Sequence, residues 1–287
     1  MAAVIPSYRP DGPALLDLLN ALNAQHVDVL IADDASTEAS EPTLAEAEAR
    51  GAVVVRHDRN AGIARSLNDG LRWAADRGAT WLLTVDQDST LSTDYVERIL
   101  AAADVAVAVL GPHAIGAVGA GSIDDASGAL SYPVRQVSGL PCTEELVQSG
   151  TLWSIAGLTA IGGFDETLGI DAVDAAACVR LRAAGRRLIL ARGLSLGHRV
   201  GEGRQVTVLG RTVLASGHSP ERRTTMVRNR LRLAPEEFAQ SPVHAFRTLR
   251  RVAMSTLLAA TIEDQRWAKV KGSARGLLPR RVAPQDR

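Results

Sequence analysis

Aromatic side chains, cysteine, lysine and long apolar runs are all scarce in this sequence. Phe, Trp and Tyr make up 3% of the residues, so packing has to rely on small aliphatic side chains, alanine above all. Cys142 and Cys178 are the only cysteines. They stand far apart and form no C-x-x-C pair, which predicts a reducing, intracellular compartment. Lys269 and Lys271 are the only lysines, and arginine carries the rest of the positive charge, a bias of composition more than of function. No stretch reaches the roughly eighteen apolar residues that a membrane-spanning helix needs. The start, MAAVIPSY, has no basic segment ahead of a long apolar one, so no signal peptide is expected. PSYRPDG follows the first predicted strand where a dinucleotide fold would have G-x-G-x-x-G, and no G-x-x-x-x-G-K-[ST] occurs. These absences argue against NAD or FAD binding and against a P-loop.

What is present is a chain of 287 residues, 46% of them apolar, enough for one large α/β domain or a domain with an appendage. Its net charge of zero conceals a split. Residues 1–198 carry 14 Arg against 25 Asp and Glu, a net −11; residues 199–287 carry 18 Lys and Arg against 7 Asp and Glu, a net +11. Such a basic end suits an anionic partner; equally, the two parts can simply attract each other.

Up to residue 112 strand and helix patterns alternate. AAVIPSY reads as a short strand ended by Pro6, PALLDLLNALNAQ as a helix with Pro13 at its start, and VDVLIADDAS as a second strand. A helix around 42–50 stops at Gly51, AVVVRH is a third strand, and GIARSLNDGLRWAADRG is a helix closed by Gly78. TWLLTVDQDS is the fourth strand, TDYVERILAAA the next helix and VAVAVLG a fifth strand. The alternation predicts an α/β fold, a mostly parallel Rossmann-like sheet flanked by helices. Tyr8, Asp33, Asp34, Asn60, Asp86 and Asp88 then fall at or just past the C-terminal strand ends, the edge where such sheets bind ligands.

Beyond 112 the pattern loosens. SIDDASGALSYPVRQVSG reads as turns and an irregular hairpin, TLWSIAGLTAIGGFDE as a strand and short helix, DAVDAAACVRLRAAG as a helix closed by Gly185, and RRLILAR as a strand. From about 219 the chain is arginine-rich and helical. The expected division is a catalytic domain over 1–218, with a nucleotide-binding half to about 112 and an acceptor half over 113–218, and a basic helical extension over 219–287.

In an extended backbone Asp86 and Asp88 point to one side and can meet one ion. Hard oxygens with open positions suit Mg²⁺ or Mn²⁺ holding a diphosphate, although a D-x-D also arises by chance about once in a chain of this size. Asp34 ends a strand where dinucleotide folds place a ribose or base contact; the plainer role is a turn aspartate bonding its own backbone. Asp171 and Asp174, at a helix start, either complement the helix dipole or supply a general base near an acceptor hydroxyl. His198, in a glycine-rich loop, is either solvated or a further metal ligand.

Taken together these segments resemble the inverting family-two glycosyltransferases of GT-A fold, and their rhamnosyltransferase branch in particular. VIPSY is similar to that family's first strand, IADDAST to its second, NAGIARSLNDGL to its N-x-G…N-x-G segment and VDQDS to its metal motif. SGTLWSIAGLTAIGGFDETLGIDAVDAAACVRLRAAG resembles the branch's SGT…GGFDE…ID-x-VD…C-x-R run, and HSPERRTTMVRN a further signature. The likeness covers roughly residues 4–235. Gly169 and Ala172 stand where the branch has aromatic residues, and Thr224 and Thr225 where it has two tyrosines, so the acceptor wall is expected to differ.

The resemblance implies a GT-A domain that moves a sugar from a nucleoside diphosphate, dTDP-L-rhamnose in that branch, to a saccharide or lipid-linked glycan. It implies that Pro6, Tyr8 and Asp34 hold the base, that Asn60, Gly62 and Asn68 shape its pocket, and that Asp86 and Gln87 lie against ribose and diphosphate. Asp88 and His198 would hold Mn²⁺ or Mg²⁺, Asp174 would be the base, and Asp171 and Trp153 would face the acceptor. Alternatives are a galactofuranosyl or other hexosyl transferase using a UDP-sugar, a nucleotidyltransferase, and a non-catalytic nucleotide-sugar-binding protein. The expected location is the cytoplasm, with the basic end on an anionic membrane surface or docked elsewhere; a homo-oligomer is compatible with this, and no nucleic-acid partner is expected.

Overall fold

In chain order, strands β1 (Ala2–Ser7), β2 (Asp28–Asp33), β3 (Val53–Arg56) and β4 (Trp81–Thr84) alternate with helices α1 (Gly12–Asn23), α2 (Glu41–Ala49) and α3 (Ile63–Asp76). The structure, a computed structural model, describes residues 1–122, 133–198, 204–208, 211–215, 219–261 and 265–277. The chain divides into two compact units, Met1–Arg199 and Val200–Arg287.

Within the first unit β1 is buried along its whole length, as an inner strand covered on both faces should be. It runs parallel to β2 on one side and to β4 on the other, and β2 runs parallel to β3. Helix α3 packs on β1 at its closest through Gly70, where a Cβ would lie 2.4 Å from Val4 Cβ, so only glycine fits. Pro6 does not end the strand as expected; β1 continues through Ser7, with Pro6 opposite Ala32. The reason is register. Val4 presents its carbonyl to the β4 side, accepting the Val85 N–H at 3.1 Å, so Pro6 faces that side too, beyond the last β1–β4 pair, Val4 with Thr84. No ladder donor is required of it there.

The next elements are β5 (Ser89–Thr90), α4 (Tyr95–Leu110), β6 (Ile115–Ser122), β7 (Arg135–Val137), β8 (Leu140–Thr143), β9 (Thr151–Ser154), α5 (Ile155–Ala160), α6 (Val173–Ala183), β10 (Arg187–Ser195) and β11 (Gly197–His198). Residues 105–110, expected as a fifth strand, are the last turns of α4. The alternation of valine and alanine there imitates a strand. The buried positions nevertheless fall at Ile99, Ala103 and Ala106, a helical spacing, while Val105 and Val109 face solvent. The strand forms later, as β6. A hairpin forms as β7–β8, turning at Ser138 and Gly139, but its second strand lies beyond the stretch 122–139 expected to hold it; residues 123–132 of that stretch lie outside the described residues.

The resulting sheet has the order β3-β2-β1-β4-β9-β6-β10-β8-β7. Four parallel strands form one half, and β9 enters antiparallel between β4 and β6. The core on it is aliphatic, with Leu15, Leu19, Ile31, Leu83, Ile99 and Val118 fully buried.

The second unit contains a hairpin of β12 (Arg204–Val208) and β13 (Arg211–Ala215), which the sequence did not suggest, and helices α7 (Pro220–Gln240), α8 (Pro242–Thr261) and α9 (Arg266–Gly276). Ser219 caps α7, accepting the Arg222 N–H at 3.2 Å, with Pro220 at the first helical position, so HSPERR is a helix start in physical terms. Thr224 is part of the α7–α9 contact rather than an acceptor wall. Its hydroxyl donates to the Gly272 carbonyl at 2.8 Å, where a tyrosine could not fit between two backbones this close.

Candidate active site

Because β1, β2, β3 and β4 are parallel, their C-terminal ends deliver Tyr8, Asp33, Asp34, His57 and Asp86 to one edge. At the end of β2 the two aspartates divide their work. Asp33 forms the local turn, accepting the Ser36 N–H at 3.0 Å and the Ser36 hydroxyl at 2.5 Å. Ser36 in turn accepts the Arg9 N–H at 2.7 Å, which ties this turn to the loop after β1. Asp34 is 5% exposed and accepts the Ala61 N–H at 2.7 Å, the Gly62 N–H at 2.8 Å and His57 Nδ1 at 2.9 Å. It therefore holds the loop that carries Asn60, which is itself exposed.

The D-Q-D segment is a turn between β4 and β5, not the expected extended strand end, so strand geometry does not set Asp86 and Asp88 on one face. Ser89 N–H donates to the Asp86 carbonyl at 3.0 Å, and the Asp86 N–H donates to Ser149 Oγ at 2.9 Å. A tight turn satisfies the backbone where β4 has run out of neighbours, and it leaves both carboxylates half-buried. Gln87 is locked to β1: Tyr8 N–H donates to its Oε1 at 2.9 Å and its Nε2 donates to the Tyr8 carbonyl at 3.2 Å. The Tyr8 ring stays 42% exposed, with the Arg9 guanidinium 5.0 Å from its centroid. On the other flank β11 pairs with β5, setting His198 opposite Ser89, one residue past Asp88. What is described of His198 is its backbone, and among the described residues no group of three His, Cys, Asp or Glu side chains gathers as a metal cluster.

The segment from SGT to C-x-R is built mainly as scaffold. Asn68, on α3, donates from Nδ2 to the Phe164 carbonyl at 2.9 Å and to Glu166 Oε1 at 2.8 Å, and accepts the Phe164 N–H at 2.8 Å. Its amide thus pins the GGFDE loop, and Gly163 must be glycine, with φ of +80° and a Cβ that would fall 2.6 Å from Asn68 Oδ1. Arg180 of the C-x-R motif donates to Asp165 at 2.9 Å. Burial pushes the Asp165 carboxyl up, but its bonds from Thr167 and Arg180 prevail and hold it below the usual carboxylate range. Burial pushes the Cys178 thiol far up, so it is an inert core group.

Between these pieces lies the segment leading into α6. Asp171 and Ala172 have φ of +66° and +62°, the left-handed region that costs a residue with a Cβ roughly 1–2 kcal/mol. Asp174 follows in the first turn of α6, half-buried, its Oδ1 accepting the Ala175 N–H at 2.8 Å. The loop held by Asp34 and the segment leading into α6 touch directly at Gly62, where a Cβ would lie 2.6 Å from the Gly169 carbonyl oxygen and φ is +91°.

Trp153 does not fit the acceptor role expected of it. It is 0% exposed in β9, its indole donating to Thr84 Oγ1 at 2.9 Å and its ring edge-on to Phe164 at 5.5 Å. A side chain with no surface cannot touch a glycan. Trp153→Ala should lower the stability of the protein by about 3–5 kcal/mol in chemical denaturation. Trp153→Phe should leave the KM for acceptor unchanged; a large KM rise without loss of stability would return Trp153 to the binding wall.

Three residues at this edge have no local sequence signal: His57, Asp69 and Ser149. His57 sets Nε2 2.6 Å from Asp69 Oδ2, and Ser149 Oγ lies 2.9 Å from Ser89 Oγ behind the D-Q-D turn. The SGT motif carries Ser149, but nothing local in the sequence tells that its hydroxyl reaches a turn more than sixty residues earlier.

A mixed, mostly parallel sheet with this edge and this insertion of β9 is the GT-A glycosyltransferase fold. The crystal structure of S. aureus TarS shares it with a TM-score of 0.60 at 15% identity, over 93% of this chain and 47% of that one, so this chain spans about half of it. The mannosyltransferase PcManGT from Pyrobaculum calidifontis, solved with GDP-Man and Mn²⁺, shares it with a TM-score of 0.59 at 17% identity, over 96% and 79%. Residues 2–125 match the family model described as glycosyl transferase family 2. The dTDP-rhamnosyl transferase RfbF of Shigella flexneri is 26% identical over 282 residues, 92% of this chain and 89% of that protein.

Proposed function

We propose that this protein is an inverting, metal-dependent glycosyltransferase that moves L-rhamnose from dTDP-L-rhamnose to a saccharide or lipid-linked glycan acceptor. The observation that carries the reading is the contact of Gly62 with Gly169, which joins the loop held by Asp34 to the segment bearing Asp171 and Asp174. One crevice then serves donor and acceptor. The likeness to the Shigella rhamnosyl transferase over nearly the whole chain supports the choice of donor.

In this reading Tyr8 offers an exposed ring, beside Pro6 at the end of β1, to the base. Asp34, with three of its roughly four acceptor positions engaged by the protein, contributes chiefly by shaping the loop of Asn60 and Gly62 around the base. Asp86 and Gln87 face ribose and diphosphate. The half-buried acids of the D-Q-D turn and the bridge that sets His198 beside it suit a hard divalent cation, Mn²⁺ or Mg²⁺, held by Asp88 and His198, which supplies charge neutralisation at the departing diphosphate. Asp174 takes the proton of the acceptor hydroxyl as that oxygen attacks the anomeric carbon from the face opposite the diphosphate. Asp171 orients the acceptor.

The test is a thermal-shift series of nucleotide sugars with and without Mn²⁺. Occupancy at 100 times Kd raises stability by about 2.7 kcal/mol. dTDP-L-rhamnose with Mn²⁺ should give the largest shift. A larger response to GDP-mannose would favour transfer of another hexose, the reading to which the Mn²⁺-bound mannosyltransferase structure points.

The second unit supplies the location. On α8 Val243, Phe246, Met254 and Leu257 are exposed along one side, with exposed Arg250 among them and exposed Arg247 and Arg251 beside them. No helix among the described residues is long and apolar enough to cross a membrane. An apolar stripe flanked by arginine suits the headgroup region of an anionic bilayer, at about 1 kcal/mol per basic residue near the surface. Full-length protein should co-sediment with anionic liposomes at low salt, and a truncation after Leu233 should not. Equal, negligible sedimentation of both would remove the membrane from this account.

A further inference from the structure

His57 stands at the end of β3, half-buried, with a carboxylate on each side of its ring. Nδ1 is 2.9 Å from Asp34 Oδ1, and Nε2 is 2.6 Å from Asp69 Oδ2. A neutral imidazole has one N–H and one lone pair, and an ionised carboxylate can only accept. Both contacts are therefore bonds only when the ring carries two protons. Without the second proton a lone pair faces a carboxylate oxygen at contact distance.

We propose that His57 is a positioning residue for the donor site: as an imidazolium it braces Asp34 against Asp69 and so holds the Asn60–Ala61–Gly62 loop in its binding shape, and on losing a proton it lets that loop relax. This rests on the donor reading given above. The chain of contacts is short. Asp34 takes the N–H groups of Ala61 and Gly62 with the same two oxygens, one of which also meets His57. Gly62 abuts the Gly169 backbone, so a shift of this loop reaches the segment of Asp171 and Asp174 as well.

The charged groups around the ring agree with this state. Asp34 faces it from β2 and Asp69 from α3; Asp69 is itself paired with Arg72 and lies 3.6 Å from Arg65. The neighbouring Arg56 is turned to Glu41 and Glu48, at 2.7 and 2.9 Å. Burial pulls the imidazole down, but the bonds and charges of Asp34 and Asp69 outweigh it, and its pKa rests above the ordinary value. The brace is thus complete below about pH 6.5, the unperturbed histidine value, and is lost as pH rises through the raised folded value.

Two measurements test this on the full-length protein. Ring-proton NMR of the ligand-free protein, with His57 assigned by comparison with His57→Gln, should show a midpoint above about 6.5 that falls in Asp69→Asn. Calorimetric titration with dTDP and Mn²⁺ between pH 7 and 9.5 should show affinity weakening by about tenfold in the wild type, the scale of one charge-assisted hydrogen bond. His57→Gln should bind at the weakened level with no such pH step, and Asp69→Asn should move the step to lower pH. A His57 midpoint at or below the ordinary value overturns the brace. A raised midpoint with the same pH dependence of binding in wild type and His57→Gln overturns the positioning role and leaves the donor reading intact. Absence of dTDP binding at every pH removes the donor reading and the positioning role with it, whatever the NMR midpoint.

Discussion

Asp174→Asn should lose sugar transfer by about 10²–10⁴ in kcat while binding the donor as well as the parent does. Asparagine keeps the shape and can still accept the Ala175 N–H that the carboxylate accepts at 2.8 Å, so α6 should start at the same place. What disappears is a group able to take a proton. Asp171→Asn is the companion variant. Its backbone at φ of +66° is one asparagine tolerates, so the strained turn into α6 persists. Loss of acceptor binding, seen as a rise in KM, is the expected result there. Transfer by Asp174→Asn at near the parental rate, with Asp171→Asn inactive, would exchange the two roles.

Asp88→Ala and His198→Ala should each cost about 10²–10³ in kcat, comparable to removing one fixed stabiliser of transition-state charge. Affinity for dTDP in the presence of Mn²⁺ should drop in both, whereas thymidine affinity should hardly change. The distinction follows from placement. The D-Q-D turn is fastened to β1 through Gln87 and to Ser149 through the Asp86 N–H, so removing the Asp88 carboxylate leaves the base side of the crevice standing. Undiminished turnover of the wild type in excess chelator is the outcome that removes the cation from the site.

The pieces legible in advance were those set by local rules. Alternation of apolar runs with helical spacing up to Thr84 specifies four parallel strands, and parallel strands set the residues past their C-terminal ends on one edge. The helix start at Pro13 and a stop at Gly51 followed from capping chemistry. The misreadings were those where two local rules compete. Residues 105–110 carry a strand-like alternation, but they extend a helix already nucleated at Tyr95, and propagation adds a bond per residue without a new nucleus. Pro6 should break a strand, yet its place beyond the last β1–β4 pair asks for no donor.

The sequence by itself determined the class of the sheet, the edge at which its acids gather, and the order of motifs along it, because each depends on residues within a few positions of one another. The tertiary structure alone decided what those motifs do. Trp153 became core and Asn68 a latch for Phe164 and Glu166, because β9 enters between β4 and β6 and brings the later loops against α3. The D-Q-D segment became a turn clamped by Ser149 and Gln87, and His57 acquired two carboxylates from different elements. Those partners are separated by 12 to 98 positions in the chain. Whether a buried amide, imidazole or carboxylate is free for a ligand depends on how many of its bonds the fold has already taken, and that count exists only once the distant segments have met.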